Sequence, residues 1–218
     1  MRECSETLAP EMTSRESEQL TLTLKLHNLP GKHLEIGTAA GGTLCTMMRA
    51  YPSSTRPPFV VVDTMAYFPN QLRTVRQNLN DHGMDPSSVD FRVMPSSAAY
   101  ASSLVHNETF SFILIDGAHK IRYVMEDLRW AALLEAGGIL CLHDYSSKHP
   151  DVTKAVDRFL RNNRHYQVVD HVDSLLLLRK QATTTKIEVR ASDRLYAMAW
   201  APVLQMQRSI QKRTGRRT

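Results

Sequence analysis

The residues able to do chemistry cluster at four points of the chain. The first is Leu34-Glu35-Ile36-Gly37-Thr38-Ala39-Ala40-Gly41-Gly42-Thr43, where an apolar strand end passes an acidic residue into a glycine-rich turn. Such a turn receives a nucleotide-shaped ligand at the first crossover of an α/β sheet, with Gly37 and Gly41 letting backbone approach where a Cβ would collide with that ligand. Val60-Val61-Val62-Asp63 follows, then Phe112-Ile113-Leu114-Ile115-Asp116-Gly117-Ala118-His119, then Gly137-Gly138-Ile139-Leu140-Cys141-Leu142-His143-Asp144-Tyr145. Each is a buried-looking run that delivers an aspartate at its carboxyl edge. Asp63 could accept both hydroxyls of a ribose, or could be the N-cap of the next helix. Asp116 and Asp144 end what should be adjacent strands, and two carboxylates with waters and a ligand oxygen suit magnesium. The imidazole of His119 is a plausible proton acceptor near neutral pH.

Strands and helices must alternate to bring these groups together. Strands are expected at 33–37, 59–63, 91–94, 110–116 and 138–143, and helices at 43–51, 70–82, 97–106, 123–134 and 151–162. This order argues an α/β protein with a doubly wound, mostly parallel sheet covered on both faces. Tyr166 to Asp170 and Ser174 to Leu178 are joined by too few residues for a helical crossover, so they should pair antiparallel. Side chains alternate along a strand, so His143 and Asp144 should diverge, with Asp144 the one in the cleft. Tyr123, Asp127 and Trp130 share approximate helical spacing and read as packing positions.

The 218 residues suit one folded domain, here 19–180, behind a polar leader at 1–18 and followed by a linker, a further segment and a basic tail at 181–218. Glu18 to Asn28 reads as a short helix or packing segment ended by Pro30-Gly31. Leu195 to Met206, apolar but interrupted by Pro202, reads as a docked final helix or a homodimer contact. The net charge of +5 belongs to the tail, because residues 179 to 218 hold ten Lys or Arg against Glu188 and Asp193. A solvated terminus explains that charge, and the body lacks the aromatic-basic interleaving that stacks bases, so a nucleic-acid partner is not expected. No apolar stretch has membrane-span length, no secretory pattern opens the chain, and Cys4, Cys45 and Cys141 lack metal-ligand spacing. A soluble, cytoplasmic protein in a reducing compartment is expected.

The glycine turn and the strand-end aspartates together resemble class I S-adenosylmethionine-dependent methyltransferases over residues 19 to 178. Asp116-Gly117-Ala118-His119, then Tyr123, Asp127 and Trp130, then Gly137-Gly138 and His143-Asp144-Tyr145, are similar to the macrocin O-methyltransferase and cephalosporin-hydroxylase-like group. Catechol-type O-methyltransferases are more distant. The resemblance implies a seven-stranded Rossmann-like sheet with an antiparallel strand near its C-terminus. It implies S-adenosylmethionine as cofactor, with Glu35 near the methionine amino group, Gly37, Thr38, Ala39, Gly41 and Thr43 in the turn, Asp63 at the ribose and Asp116 beside it. Ser96 and Ser97 fall where catechol-type enzymes contact adenine, or else cap a helix. Asp116, Asp144 and His119 are the implied catalytic residues, His119 standing where the catechol-type family has its lysine; stacking over adenine or capping the turn before Tyr123 is the other role open to it. Asp116 and Asp144 would bind Mg2+, although Tyr145 occupies the place of that family's Asn ligand, leaving Asp170 and the histidines as substitutes. His149 lies on a loop placed to cover a substrate. The implied reaction is O-methylation of a small hydroxylated acceptor, a sugar or an aromatic. Methylation of another acceptor such as RNA, and a non-methylating cofactor-binding role, are the alternatives, since this fold does not fix the reaction.

Overall fold

One sheet with an apolar cluster on each face organises the chain. The computed structural model describes residues 12–27, 29–182 and 188–213. The first part of the expected leader, the Thr-rich linker at 183 to 185 and the tail beyond Arg213 lie outside the described residues. The elements run α1 (Ser14–Leu26), β1 (Lys32–Ile36), α2 (Gly42–Arg49), β2 (Phe59–Asp63), α3 (Gln71–Asp81), β3 (Val89–Val93), α4 (Ser96–Val105), β4 (Phe110–Ile115), α5 (Ile121–Asp127), β5 (Leu134–Leu142), α6 (Pro150–Asn162), β6 (Tyr166–Val172), β7 (Leu175–Lys180) and α7 (Ala191–Arg213).

The strand order is β3-β2-β1-β4-β5-β7-β6. Strands β1 to β5 are mutually parallel, whereas β7 runs antiparallel to both β5 and β6, as the short connection between β6 and β7 demands. Alternation along the strands divides the core. Leu34, Val60, Val62, Ile113, Leu140 and Leu178 face the side covered by α4 to α7. Val61, Phe112, Leu114, Cys141 and Leu177 face α1, α2 and α3. The order reverses between β1 and β4, and a crevice opens beyond the carboxyl ends of strands at such a switch point. Among the described residues no helix is long and apolar enough to cross a membrane.

Three elements depart from expectation. Helix α1 begins at Ser14, inside the expected leader, because Thr13 and Glu16 form a reciprocal capping box. Helix α5 ends at Asp127, and Leu128–Leu133 continues as a 3-10 segment before β5 starts at Leu134. The change of period separates the expected packing stripe: Trp130 is fully buried, edge-on to Tyr100 and Phe110, while Tyr123 is 55% exposed. Helix α7 runs through Pro202, burying Ala197 and Leu204 against the body and leaving Leu195, Met198 and Met206 outward. The segment is thus a helix packed on α5 and α6 that extends beyond the expected 195–206 at both ends.

Asp127 lies inside this packing, and burial pushes its carboxyl up to about 7, partly offset by the Ser96 hydroxyl and reinforced by the Glu126 charge. An unfolded aspartate titrates at about 4, so the folded state keeps a proton that the unfolded chain gives up above that pH. The destabilisation is absent below about pH 4, grows as pH rises and is complete above about pH 7. Asp127→Asn should therefore raise the melting temperature at pH 8 and change it little at pH 4, measured by thermal circular dichroism.

Candidate active site

The crevice is built first by the turn after β1. Gly37 has φ +83°, and a Cβ there would stand 2.3 Å from the carbonyl oxygen of Asp116. Gly41 has φ +88°, and its Cβ would meet Val75 Cγ1 at 3.1 Å. Backbone packing thus requires Gly37, the turn being pressed against the end of β4, whereas at Gly41 the nearest neighbour is a side-chain methyl of α3. At Gly37 this packing is a reason for glycine in addition to the close ligand approach expected from the sequence. The turn is further held by Gln71, which donates to the Ala39 carbonyl at 3.0 Å, and by Asn78, which donates to the Ala40 carbonyl at 2.9 Å. Thr43 is buried in the first turn of α2.

Polar groups are left over at this turn. Neither carboxylate oxygen of Glu35 and not the hydroxyl of Thr38 has a hydrogen-bond partner, although all three atoms are buried. Burial pushes Glu35 up to about 8, with reinforcement from the charges of Asp116 and Asp63. Buried polar atoms are nearly always satisfied, so this acid and hydroxyl leave hydrogen-bonding capacity that the fold itself does not use. Asp63 accepts from the Thr38 amide at 3.0 Å and the Met65 amide at 2.6 Å. It is not a helix cap, since the N-cap position of α3 is Asn70, and each oxygen retains a lone pair. Ser96 accepts from the Trp130 indole at 2.9 Å and sits inside α4, whose N-cap is Pro95. That contact and the exposure of Ser97 remove the helix-cap alternative for these serines.

A cluster of acids and imidazoles lies at the ends of β4 and β5. His143 Nδ1 is 3.0 Å from Asp116 Oδ1 and 3.6 Å from Asp144 Oδ2. His119 Nε2 is 2.8 Å from Asp144 Oδ2, and His149 Nε2 is 3.3 Å from Asp144 Oδ1. His143 and Asp144 therefore converge, where strand alternation predicted divergence. The physical reason is Asp144 itself, whose φ of +60° leaves the extended conformation after His143 has made its last sheet bond to Ile115. Burial opposes charge on His143, but the Asp116 hydrogen bond and the charges of Asp116, Asp144 and Glu16 outweigh it and raise its pKa to about 9. The Asp144 hydrogen bond raises His119, against burial. Burial would raise Asp144, but His119 and the charges of His143 and His149 carry it below the usual carboxylate range.

Glu16 was not among the residues expected here. Its Oε2 is 3.5 Å from His143 Nε2, while Oε1 accepts from the Ser174 amide and hydroxyl, each at 2.7 Å. The capping box Thr13-x-x-Glu16 ahead of Leu20 and Leu24 is the signal that could have placed a helix there, though not its partner 158 residues away. Asp170, by contrast, lies on β6 and accepts from the His171 amide at 2.7 Å, outside the cluster. Tyr145 turns its hydroxyl to Asp157 at 2.8 Å.

On a sheet of this order, the glycine turn, the buried acid of β1 and the strand-end aspartates are those of the class I S-adenosylmethionine-dependent methyltransferases. A methyltransferase-domain family model matches residues 34–145, and the chain belongs to that family. Among solved structures it is similar to a Klebsiella pneumoniae protein classed with the O-methyltransferases, at 19% identity and TM-score 0.63 over 82% of this chain and 86% of that one. It is also similar to an O-methyltransferase from Bacillus cereus in complex with SAH, at 17% identity and TM-score 0.60 over 81% and 87%. CalS11, a TDP-rhamnose 3'-O-methyltransferase of calicheamicin biosynthesis, matches at 16% identity and TM-score 0.59 over 75% and 76%. No curated protein matches the chain.

Proposed function

We propose that this methyltransferase methylates a hydroxyl oxygen of a small acceptor, a sugar or an aromatic ring, with His119 accepting the hydroxyl proton. The observation that carries this reading is the 2.8 Å contact between His119 Nε2 and Asp144, just beyond the carboxyl ends of β4 and β5. Asp144 orients the imidazole and favours its protonated form, as a partner of a general base does. S-adenosylmethionine, when bound, supplies a methyl group already activated on sulfur. The orphaned Glu35 carboxylate and Thr38 hydroxyl fit its methionine end, Asp63 fits its ribose, and Ser96 and Ser97 lie at the start of α4 on the adenine side of this assignment. The CalS11 likeness favours a sugar among small acceptors.

Magnesium assistance through Asp116 and Asp144 is less well served. The Tyr145 hydroxyl is turned away to Asp157, and the His143 imidazole lies within 3.0 and 3.6 Å of the two acids. An octahedral oxygen shell does not fit that arrangement, so no step is assigned to the ion. The test is methyl transfer to a panel of sugar and phenolic acceptors, with the new methyl located by NMR. Transfer to oxygen that survives chelation supports the reading; methylation of nitrogen, or strict dependence on Mg2+, overturns it.

Glu35 adds a pH-dependent prediction. With its carboxyl near 8 in the free protein, Glu35 carries a proton at pH 7 and should lose it to solvent when a cationic amino group binds beside it. Cofactor binding at pH 7 should then release about one proton, and affinity should rise with pH until about 8. Calorimetry in buffers of different ionisation enthalpy measures both.

A further inference from the structure

The cluster that serves Mg2+ poorly serves another kind of ion well. His119 reaches Asp144 Oδ2 from the loop after β4, and His149 reaches Oδ1 of the same carboxylate from the start of α6. These donor atoms all lie within 4.8 Å of one another. Ligands held tetrahedrally about 2.0–2.2 Å from zinc stand about 3.3–3.6 Å apart; the 3.3 Å separation of His149 from Asp144 meets that spacing, and the 2.8 Å separation of His119 from Asp144 reaches it by opening about half an ångström. The rings stand 5.1 Å apart and 80° to each other, so neither stacks over its neighbour.

The two segments are also braced. The Ile121 amide, two residues after His119, donates to Asp151 Oδ1 at 3.0 Å, tying the His119 loop to the helix that begins beside His149. Thr153 donates to the Ser146 carbonyl at 2.8 Å, and the His149 amide donates to Ser146 at 3.0 Å, closing the loop that carries Asp144 and His149. Outer contacts of this sort hold metal-ligating groups in place. The side chains of His119 and His149 are 43% and 34% exposed, against 13% for Asp144, so the site has an open side. Two imidazoles and one carboxylate are the donors of borderline ions, whereas Mg2+ prefers oxygen.

We propose that His119, Asp144 and His149 bind one divalent transition-metal ion of the zinc or cobalt type, leaving a coordination position open to water or another ligand. The site goes beyond the methyl-transfer reading, sharing His119 and Asp144 with it but owing nothing to the identity of the acceptor. An ion bound there takes the Nε2 lone pair of His119, so methyl transfer by the ion-free enzyme should fall as the site fills.

The test is calorimetric titration of the metal-stripped full-length chain with ZnCl2, and absorption spectroscopy on adding CoCl2. One zinc per chain, and a visible cobalt band of tetrahedral or five-coordinate intensity without the near-ultraviolet band of a thiolate ligand, are expected. His149→Ala should weaken zinc binding by roughly tenfold or more, and His149→Gln, checked for native circular dichroism, covers the case in which the alanine variant misfolds. Asp116→Asn should change it by no more than about twofold, since Asp116 lies outside this triad. Absence of saturable binding, wild-type affinity in both His149 variants, equal binding of MgCl2, or a thiolate band would overturn the proposal. Zinc binding that needs His149 in a protein that methylates no hydroxyl would uphold the site and defeat only the transfer reading.

Discussion

Gly37→Ala is expected to lose cofactor binding by about a hundredfold or more and to be less stable by about 2–5 kcal/mol. Two costs add at this position. A φ of +83° is open to glycine and costs an alanine about 1–2 kcal/mol. The new Cβ would also stand 2.3 Å from the Asp116 carbonyl oxygen, 2.7 Å from Gly117 Cα and 2.8 Å from the Asp116 carbonyl carbon. All three are backbone atoms at the end of β4, so relief requires the turn and the strand end to part. That movement separates Glu35 and Thr38 from Asp116, the groups assigned to the donor and to the reacting end. Gly41→Ala is the control: its φ of +88° carries a similar strain, but the atom met at 3.1 Å is a Val75 methyl, which can shift. Cofactor titration and chemical denaturation of both variants measure the difference, and equal effects would show that the approach of the turn to β4 is not what matters at Gly37.

The same turn shows how much of this molecule could be read from its residues. Strand β2 occupies Phe59–Asp63 as its unbroken apolar run implies, and β6 and β7 pair antiparallel because Asp173 and Ser174 cannot span a crossover. These features depend on local pattern. What escaped depends on conformation or on distance. The bend at Asp144 is one such case, since αL backbone at a non-glycine residue carries no compositional mark, and without it His143 and Asp144 face apart. The end of α5 is another: Ile121 to Leu133 keeps helical composition, but the 3-10 geometry from Leu128 rotates Trp130 into the core and leaves Tyr123 outside. Glu16 is the furthest from reach. Its capping box is local, yet its function in the cluster comes from Ser174 and His143, which the fold alone brings beside it.

Glu16 also closes the electrostatic account of the cluster. Three acids, Glu16, Asp116 and Asp144, surround His143, and the imidazolium they favour offsets part of their mutual repulsion. His143 is thereby engaged as a cation and hydrogen-bond donor toward Asp116, so it is poorly suited to take a proton from an acceptor. His119, more exposed and paired to Asp144 alone among the acids in direct contact, is the imidazole left for that work.

His119→Ala should accordingly lower kcat by about 10²–10⁴, the range for loss of a positioned general base, while cofactor affinity changes little. A stacking or capping His119 would instead alter binding or stability and leave the chemical step near its original rate. The pH profile separates the roles further. The base acts only when neutral, and the Asp144 hydrogen bond raises its pKa above the ordinary value, so kcat should climb with pH through a point above about 6.5. Asp144→Asn removes the hydrogen bond and charge that favour the imidazolium most, leaving burial and the His143 charge opposed by Asp116 alone, and the ascending limb should move to lower pH even as its plateau falls. Single-turnover rates across pH 5 to 9 for wild type, His119→Ala and Asp144→Asn provide the measurement. A limb that stays in place in Asp144→Asn, or that persists in His119→Ala, would assign the proton to another group.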